Sequence, residues 1–233
     1  MTLLQHLREV YAGAADPEKA APMRAYMRDR FEFLGITSAP RRELTRQVLK
    51  GRPGPAERDL TEVALGCWAL PEREYQYFAC DYLRRYAAAL TPAALPAVRT
   101  LITTKSWWDT VDILASNVVG VMVAGHPALV STMDAWAAGS ELWLARTALL
   151  HQLRYKERTA ADRLFGYCAR WAGERDFFIR KGIGWALREY ARTDPRAVRE
   201  FVAAHPELSA LSVREATKHL EKQGREVEPN NPR

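Results

Sequence analysis

The feature that most constrains the fold of this chain is a nearly unbroken succession of amphipathic helix patterns. Apolar residues recur at the 3.6-residue period of a helix, beginning with Leu3, Leu4 and Leu7. Helix-start signals accompany them, such as Asp16-Pro17, an N-cap followed by proline at the first helical position. No run alternates apolar and polar residues over the length of a strand, so the sequence predicts an all-α protein.

The spacing of these helices predicts how they are arranged. About a dozen helices follow one another with short connections, which force neighbours in sequence to pack antiparallel. Helix pairs recur at roughly 35–45 residues without close sequence identity, the spacing of HEAT-like repeats. We therefore predict an α-solenoid of tandem antiparallel HEAT-like helix pairs, forming a single curved domain with a concave basic face. A compact helical bundle is the alternative. The β-branched run Val118–Val121 is predicted to be a wholly buried helix.

Composition excludes several classes of protein. Of the 233 residues, 48% are hydrophobic and 27% charged, as in ordinary globular proteins. The first residues carry a charge too early for the apolar stretch of a signal peptide, and the most apolar run, Val118–Val123, is too short to span a membrane. Three scattered cysteines and five scattered histidines form no disulfide framework or metal motif. We expect a cytoplasmic monomer, associated with the nucleoid in a prokaryote, without cofactor or metal.

The distribution of charge suggests a partner. The net charge is +6, with an excess of three cations over residues 1–50 and of five over residues 151–200, while residues 101–150 are acidic. Of the 34 cations, 27 are arginine, whose planar fork fits a phosphate with two hydrogen bonds. This pattern indicates nucleic-acid binding. A solvated surface or a GC-rich genome explains the same numbers.

The stretch from Lys105 to Asp112 combines two tryptophans with two acids. Trp108 and Asp112 are four residues apart and share one face of a helix, while Trp107 turns roughly 100° away. This placement makes Trp108 and Asp112 candidates for a site at the rim of the core. The alternative is that both tryptophans belong to the core and that the acids only favour the helix N-terminus.

Three further positions are unusual for their surroundings. Gly184 lies inside a helical pattern, where it costs about 1 kcal/mol relative to alanine, so we expect another backbone to pass close by. Trp185 beside it lines a groove or belongs to the core. Arg146 is the only cation of a long apolar stretch and requires an anion, either Asp112 or a phosphate. Tyr26, flanked by arginines, contacts a phosphate or packs on the surface.

Six stretches of the chain, taken in order, form a specific pattern. They are Pro17–Tyr26, Phe33–Ile36, Leu70–Glu74, Ser106–Asp112, Trp143–Arg146 and Phe177–Tyr190. Together they resemble the AlkD family of alkylpurine DNA glycosylases, and the resemblance covers most of the chain. It implies HEAT-like repeats over residues 1–222 that hold duplex DNA containing alkylated purines. Residues 223–233, with one apolar side chain, are predicted to be a disordered tail.

The resemblance also implies a reaction and the residues that perform it. Members of the family hydrolyse the N-glycosidic bond of cationic N3- and N7-alkylated purines, without flipping the base into a pocket. The implied catalytic residues are Asp112, Trp108 and Trp185. The implied phosphate contacts are Arg146 and Tyr26, and we further predict that Lys156, Arg180, Lys181 and Arg188 bind DNA. A Schiff base on Lys105, which would make the enzyme a lyase, is a minor alternative, and a non-catalytic HEAT-like scaffold that binds DNA or protein is the rival function.

Overall fold

Helices account for the regular structure of the chain. The computed structural model describes residues 1–218 and 220. Within these residues no strand forms, and one isolated parallel bridge joins Glu32 to Glu72. The chain divides into two compact units, one formed by Met1–Ser106 and the other beginning at Trp107. The all-α prediction is confirmed, whereas the predicted tail at residues 223–233 lies outside the described part of the chain.

The first unit is built from six α-helices and two 3-10 turns. The helices are α1 (Leu3–Ala12), α2 (Pro17–Tyr26), α3 (Ser38–Leu49), α4 (Glu57–Ala69), α5 (Arg73–Arg85) and α6 (Leu95–Thr103). The predicted cap of α2 is confirmed, because the Asp16 carboxylate accepts the N–H of Lys19. Helix α4 packs against α5 and α6, and α1 packs against α3.

A buried carboxylate fixes the loop between α2 and α3. The Glu74 side chain, inaccessible to solvent on α5, accepts the backbone N–H groups of Leu34, Gly35 and Ile36 at 2.9–3.1 Å. Gly35 has φ of +90°, and a β-carbon there would lie 2.0 Å from the Asp16 carbonyl oxygen. Only glycine fits this position. The hydrogen bonds to Glu74 tie the loop that follows α2 to α5.

The second unit contains eight α-helices within its described residues. They are α7 (Trp108–Leu114), α8 (Gly120–Gly125), α9 (Val130–Ala138), α10 (Leu142–Leu150), α11 (Ala161–Arg170), α12 (Phe177–Tyr190), α13 (Pro195–Ala204) and α14 (Ala210–Thr217). A π-helical turn, Ala115–Val119, joins α7 to α8. Helix α10 packs against α9 and α12, and α12 packs against α14. Contacts between helices that are adjacent and two apart in sequence are expected for stacked helix pairs. The curvature and the basic concave face stay predictions.

The β-branched run in the middle of the chain is helical, as predicted, but it is not wholly buried. Val118 and Val119 are inaccessible to solvent, and Gly120 packs so closely that a β-carbon would lie 2.3 Å from the His151 carbonyl oxygen. Val121 is 37% exposed. The prediction was wrong for this residue because the helical period turns it away from the neighbouring helix that covers the others.

A buried histidine makes the stability of the second unit depend on pH. Burial lowers the pKa of His151 from 6.5 to about 4, and its Nδ1 lies 2.7 Å from the Ala148 carbonyl oxygen. In the unfolded chain this imidazole titrates near its ordinary pKa, so between about pH 6.5 and 4 the unfolded state binds more protons. The free energy of unfolding therefore falls as the pH falls through that window.

We expect wild type to lose roughly 2 kcal/mol more stability than His151→Phe between pH 7 and about pH 4.5. Phenylalanine is comparable in size and does not titrate, so the variant reports the contribution of carboxylates elsewhere. Urea unfolding at the two pH values measures the difference. An equal loss in both proteins would show that His151 is not the group responsible.

Candidate functional site

A buried ion pair between α7 and α10 lies at the centre of the candidate site. Arg146 donates from Nε to Asp112 Oδ1 and from Nη2 to Asp112 Oδ2, both at 2.8 Å. The Arg146 side chain is 1% exposed and that of Asp112 is 19% exposed. This planar, two-bond geometry is the strongest form of arginine–carboxylate pair. Of the two anions that the sequence left open for Arg146, the structure provides Asp112.

The same guanidinium also fastens α12. Its Nη1 donates to the Phe178 carbonyl oxygen in the first turn of that helix. Gly182, one turn later, leaves room for the guanidinium, because a β-carbon there would lie 3.2 Å from Nη1. All three guanidinium nitrogens therefore have protein acceptors. The phosphate contact predicted for Arg146 stays a prediction, and it would require this buried side chain to leave these partners.

The environment of Asp112 makes its carboxyl more basic. Burial raises its pKa above the ordinary aspartate value, while the hydrogen bonds and positive charge of Arg146 act in the opposite direction. Burial is the larger effect. Such a carboxylate accepts a proton more readily than one in water does, and each of its oxygens keeps a lone pair beyond those used by Arg146.

Two cations lie close to the ring of Trp185 on α12. The Arg146 guanidinium carbon is 5.3 Å from the centre of the Trp185 ring, and the Lys181 ammonium nitrogen is 5.7 Å from it. Both distances are typical of cation–π contacts. The ring itself is half-buried. The structure thus brings Trp185 and Asp112 to the same arginine, as expected for residues of one site.

The two tryptophans before Asp112 differ in their surroundings. Trp107 is 6% exposed and packs 4.8 Å from Phe178 and 6.1 Å from Trp143, measured between ring centres. It is a core residue, as the alternative interpretation held. Trp108 opens α7 one turn before Asp112 and is half-buried. Sequence reasoning missed the structural role of Trp143 and Phe178, although Trp143 lies one helical turn before Arg146.

Two of the predicted DNA contacts are joined by a carboxylate that the sequence did not point to. Lys181 Nζ donates to Glu215 Oε1 at 2.8 Å, and Arg188 Nη1 donates to Glu215 Oε2 at 2.7 Å. The hydrogen bond from Lys181 is the main reason that the pKa of Glu215 lies below its ordinary value. Glu215 is on α14, so no local spacing connected it to these cations.

The remaining predicted contacts have varied settings. Lys156 is exposed in a 3-10 turn and has a left-handed backbone with φ of +51°. Arg180 is half-buried, and its Nε donates to the Glu174 carbonyl oxygen at 2.8 Å. Tyr26, at the end of α2 in the first unit, is 74% exposed. Lys156 and Tyr26 therefore present polar atoms to solvent.

The described residues contain neither a membrane-spanning helix nor a metal-binding group of side chains. No helix among them has both the length and the apolar character needed to cross a membrane. In the same part of the chain, no three His, Cys, Asp or Glu side chains are grouped as a metal ion would require.

The family of this chain is identified by its similarity to known proteins. The sequence model of the DNA alkylation repair enzyme family matches residues 5–220, nearly the whole chain. The chain belongs to the DNA alkylation repair enzyme family. Among solved structures, it is similar to the predicted DNA alkylation repair enzyme from Enterococcus faecalis. The two share 34% sequence identity and a TM-score of 0.81, over 89% of this chain and 97% of that one. No curated protein matches.

Membership of the DNA alkylation repair enzyme family supports a role in DNA repair, and it places the buried pair in a repair protein. The narrower resemblance to the AlkD family stays a prediction, as do the roles of the individual site residues.

Gly184 confirms the close backbone approach that the sequence predicted. A β-carbon at Gly184 would lie 2.5 Å from Glu215 Cβ and 3.0 Å from the Ser212 carbonyl oxygen. We expect Gly184→Ala to destabilise the DNA alkylation repair protein by about 1–3 kcal/mol, because neither α14 atom is the end of a flexible side chain.

Gly166→Ala is the matched control. Gly166 lies inside α11, and a β-carbon added there would meet nothing within 4 Å, so alanine should stabilise that helix by up to about 1 kcal/mol. Thermal or urea unfolding of both variants gives the comparison. Opposite signs are expected, and a neutral or stabilising Gly184→Ala would contradict the close packing of α12 on α14.

Proposed function

We propose that this protein is a monofunctional DNA glycosylase that hydrolyses the N-glycosidic bond of cationic N3- and N7-alkylated purines in duplex DNA. The observation that carries the proposal is the buried Asp112 carboxylate, held by Arg146 beside the Trp185 ring, in a chain of the DNA alkylation repair enzyme family. An acid that is buried, paired and next to an aromatic face is suited to a developing sugar cation.

The substrate itself supplies part of the catalysis. A purine alkylated at N3 or N7 carries a positive charge, so it leaves without protonation by a general acid. The bond between C1′ and the purine nitrogen breaks, and its electron pair neutralises the purine. The sugar passes through an oxocarbenium-like state. The oxygen of a water molecule then bonds to C1′, and a proton of that water passes to Asp112 and on to solvent.

Asp112 serves this reaction by its charge and by its free lone pairs. A carboxylate about 4 Å from a unit positive charge, at an effective dielectric constant of about 20, stabilises it by roughly 4 kcal/mol. Arg146 offsets part of that stabilisation while fixing the direction of the carboxylate. The remaining lone pairs can hold the attacking water.

The aromatic side chains serve the same cation. The π faces of tryptophan carry negative partial charge, and Trp185 already attracts two cationic groups in the folded protein. We assign Trp185 and Trp108 to the walls that contact the deoxyribose of the damaged nucleotide. This assignment uses the half-buried state of both residues, each of which keeps part of its surface accessible.

Phosphate contacts hold the duplex against the site in this proposal. Lys156 and Tyr26 are the exposed members of the predicted set, whereas Arg180, Lys181 and Arg188 are half-buried and Arg146 is buried. We assign the exposed pair to direct contacts with the DNA backbone. Each half-buried cation donates one hydrogen bond to a protein acceptor and keeps further N–H donors for a phosphate, whereas Arg146 acts mainly by positioning Asp112.

The test removes the charge of Asp112 and keeps its size. Asp112→Asn retains one oxygen that can accept from Arg146, and it should slow release of 7-methylguanine by about a hundred- to a thousandfold. Binding of the duplex should stay the same or tighten slightly, because a negative charge is lost. The measurement is single-turnover base release with enzyme in excess over a methylated duplex.

Asp134→Asn is the matched control, since Asp134 also pairs with an arginine in the second unit but is about half exposed. It should leave the rate within about twofold of wild type. Thermal unfolding establishes that both variants are folded. Equal rates for wild type and Asp112→Asn would leave the carboxylate with only a structural role as the partner of Arg146. If wild type binds DNA and releases no base, the non-catalytic scaffold is the better account.

A further inference from the structure

Glu215 joins two cations of α12 from outside that helix. Its two carboxylate oxygens accept from Lys181 and Arg188, which are seven residues apart and lie on either side of Trp185 in sequence. The Glu215 side chain is 12% exposed, and each cation is 25% exposed. A carboxylate so placed interacts more strongly with its partners than a surface carboxylate does.

The packing of α14 on α12 explains why Glu215 reaches this position. Gly184 has no side chain, so Glu215 Cβ sits directly against the backbone next to Trp185. The Ser212 hydroxyl, one turn earlier on α14, donates to the Arg180 carbonyl oxygen at 3.0 Å. These contacts fix the register of α14 relative to Trp185, and Glu215 is held where both cations can be reached.

Each of the two cations at the Trp185 ring is paired with a carboxylate, and Lys181 shares its carboxylate with Arg188. Arg146 is paired with Asp112, and Lys181 is paired with Glu215. Without these acids, two positive charges would lie within 6 Å of the ring centre and would repel a positively charged ligand there. With both acids present, Arg146, Lys181 and Arg188 together carry a net charge of +1, because Glu215 is shared by Lys181 and Arg188.

We propose that Glu215 is a positioning residue for the base-excision reaction: it holds and neutralises Lys181 so that a cationic lesion can approach the Trp185 face. This inference rests on the proposed function. The same carboxylate keeps Lys181 and Arg188 away from DNA phosphates, so it also restrains binding to undamaged duplex. Glu215 acts through Lys181 and does not itself contact the reacting atoms.

We expect Glu215→Gln to slow base release and to tighten binding of undamaged duplex. In Glu215→Gln, Lys181 carries an unneutralised charge beside the ring, and release of 7-methylguanine under single-turnover conditions should fall about tenfold. Both freed cations become available to phosphates, so undamaged duplex should bind several-fold more tightly, with a salt dependence steeper by about one to two counterions. A residue that only supports the fold would weaken both properties together.

Glu200→Gln is the matched control for the change in net charge. Glu200 pairs with Arg196 at 2.7 Å on α13, and both side chains are exposed. This variant should leave the rate and the undamaged-duplex affinity within about twofold of wild type. If Glu200→Gln tightened DNA binding as much as Glu215→Gln, the effect would be one of total charge, and the assignment of Glu215 would be overturned.

A double variant separates charge from folding. Glu215→Gln with Lys181→Met removes the acid and the cation together, so Lys181 no longer leaves an unpaired charge beside the ring, and the rate should recover part of the loss seen in Glu215→Gln. No recovery, or an unchanged rate in Glu215→Gln, would overturn the proposal. If wild type released no base, the glycosylase assignment itself would fail. The affinity and salt dependence for undamaged duplex would still show whether Glu215 restrains the two cations.

Discussion

The ion pair between Arg146 and Asp112 is the interaction on which the second unit and its candidate site depend. A guanidinium that is 1% exposed must be paired, because an uncompensated charge in the interior costs several kcal/mol. Arg146 meets this requirement with acceptors from two different helices, Asp112 on α7 and Phe178 on α12. The hydrogen bonds that satisfy the buried Arg146 guanidinium therefore also link α10 to α7 and α12.

The same requirement shapes the electrostatics around Trp185. An aromatic face that attracts cations is useful to a reaction with a cationic transition state only if it is not already saturated with positive charge. In this protein each cation at the ring is paired with an acid, Arg146 with Asp112 and Lys181 with Glu215, which also pairs with Arg188. The proposed chemistry and the proposed restraint on DNA binding both follow from that pairing.

Local patterns predicted the features that depend on neighbouring residues. The helical period and the Asp16-Pro17 start signal identified helices that the structure contains, and Gly184 correctly marked a close backbone approach. The need of Arg146 for an anion followed from its isolation in an apolar stretch. Each of these inferences uses one residue and its immediate sequence environment.

Features that depend on distant partners could not be predicted in this way. Glu215 lies 34 residues from Lys181, and nothing in its local sequence distinguishes it from a surface acid. The π-helical turn Ala115–Val119 has no residue signature comparable to a cap or a proline. Val121 was assigned to the core from its β-branched neighbours, whereas its exposure depends on which helix covers that face. These are consequences of tertiary packing.

In the proposed reaction, the positive charge of the damaged base drives its departure while the protein stabilises the sugar cation. The most direct test compares base release by the wild-type protein from matched duplexes that contain 7-methylguanine, 3-methyladenine, hypoxanthine or uracil. The two cationic purines should be released, and the two neutral bases should remain in the DNA over the same time. Release of hypoxanthine or uracil at a comparable rate would require a group that protonates the leaving base, and it would contradict this account.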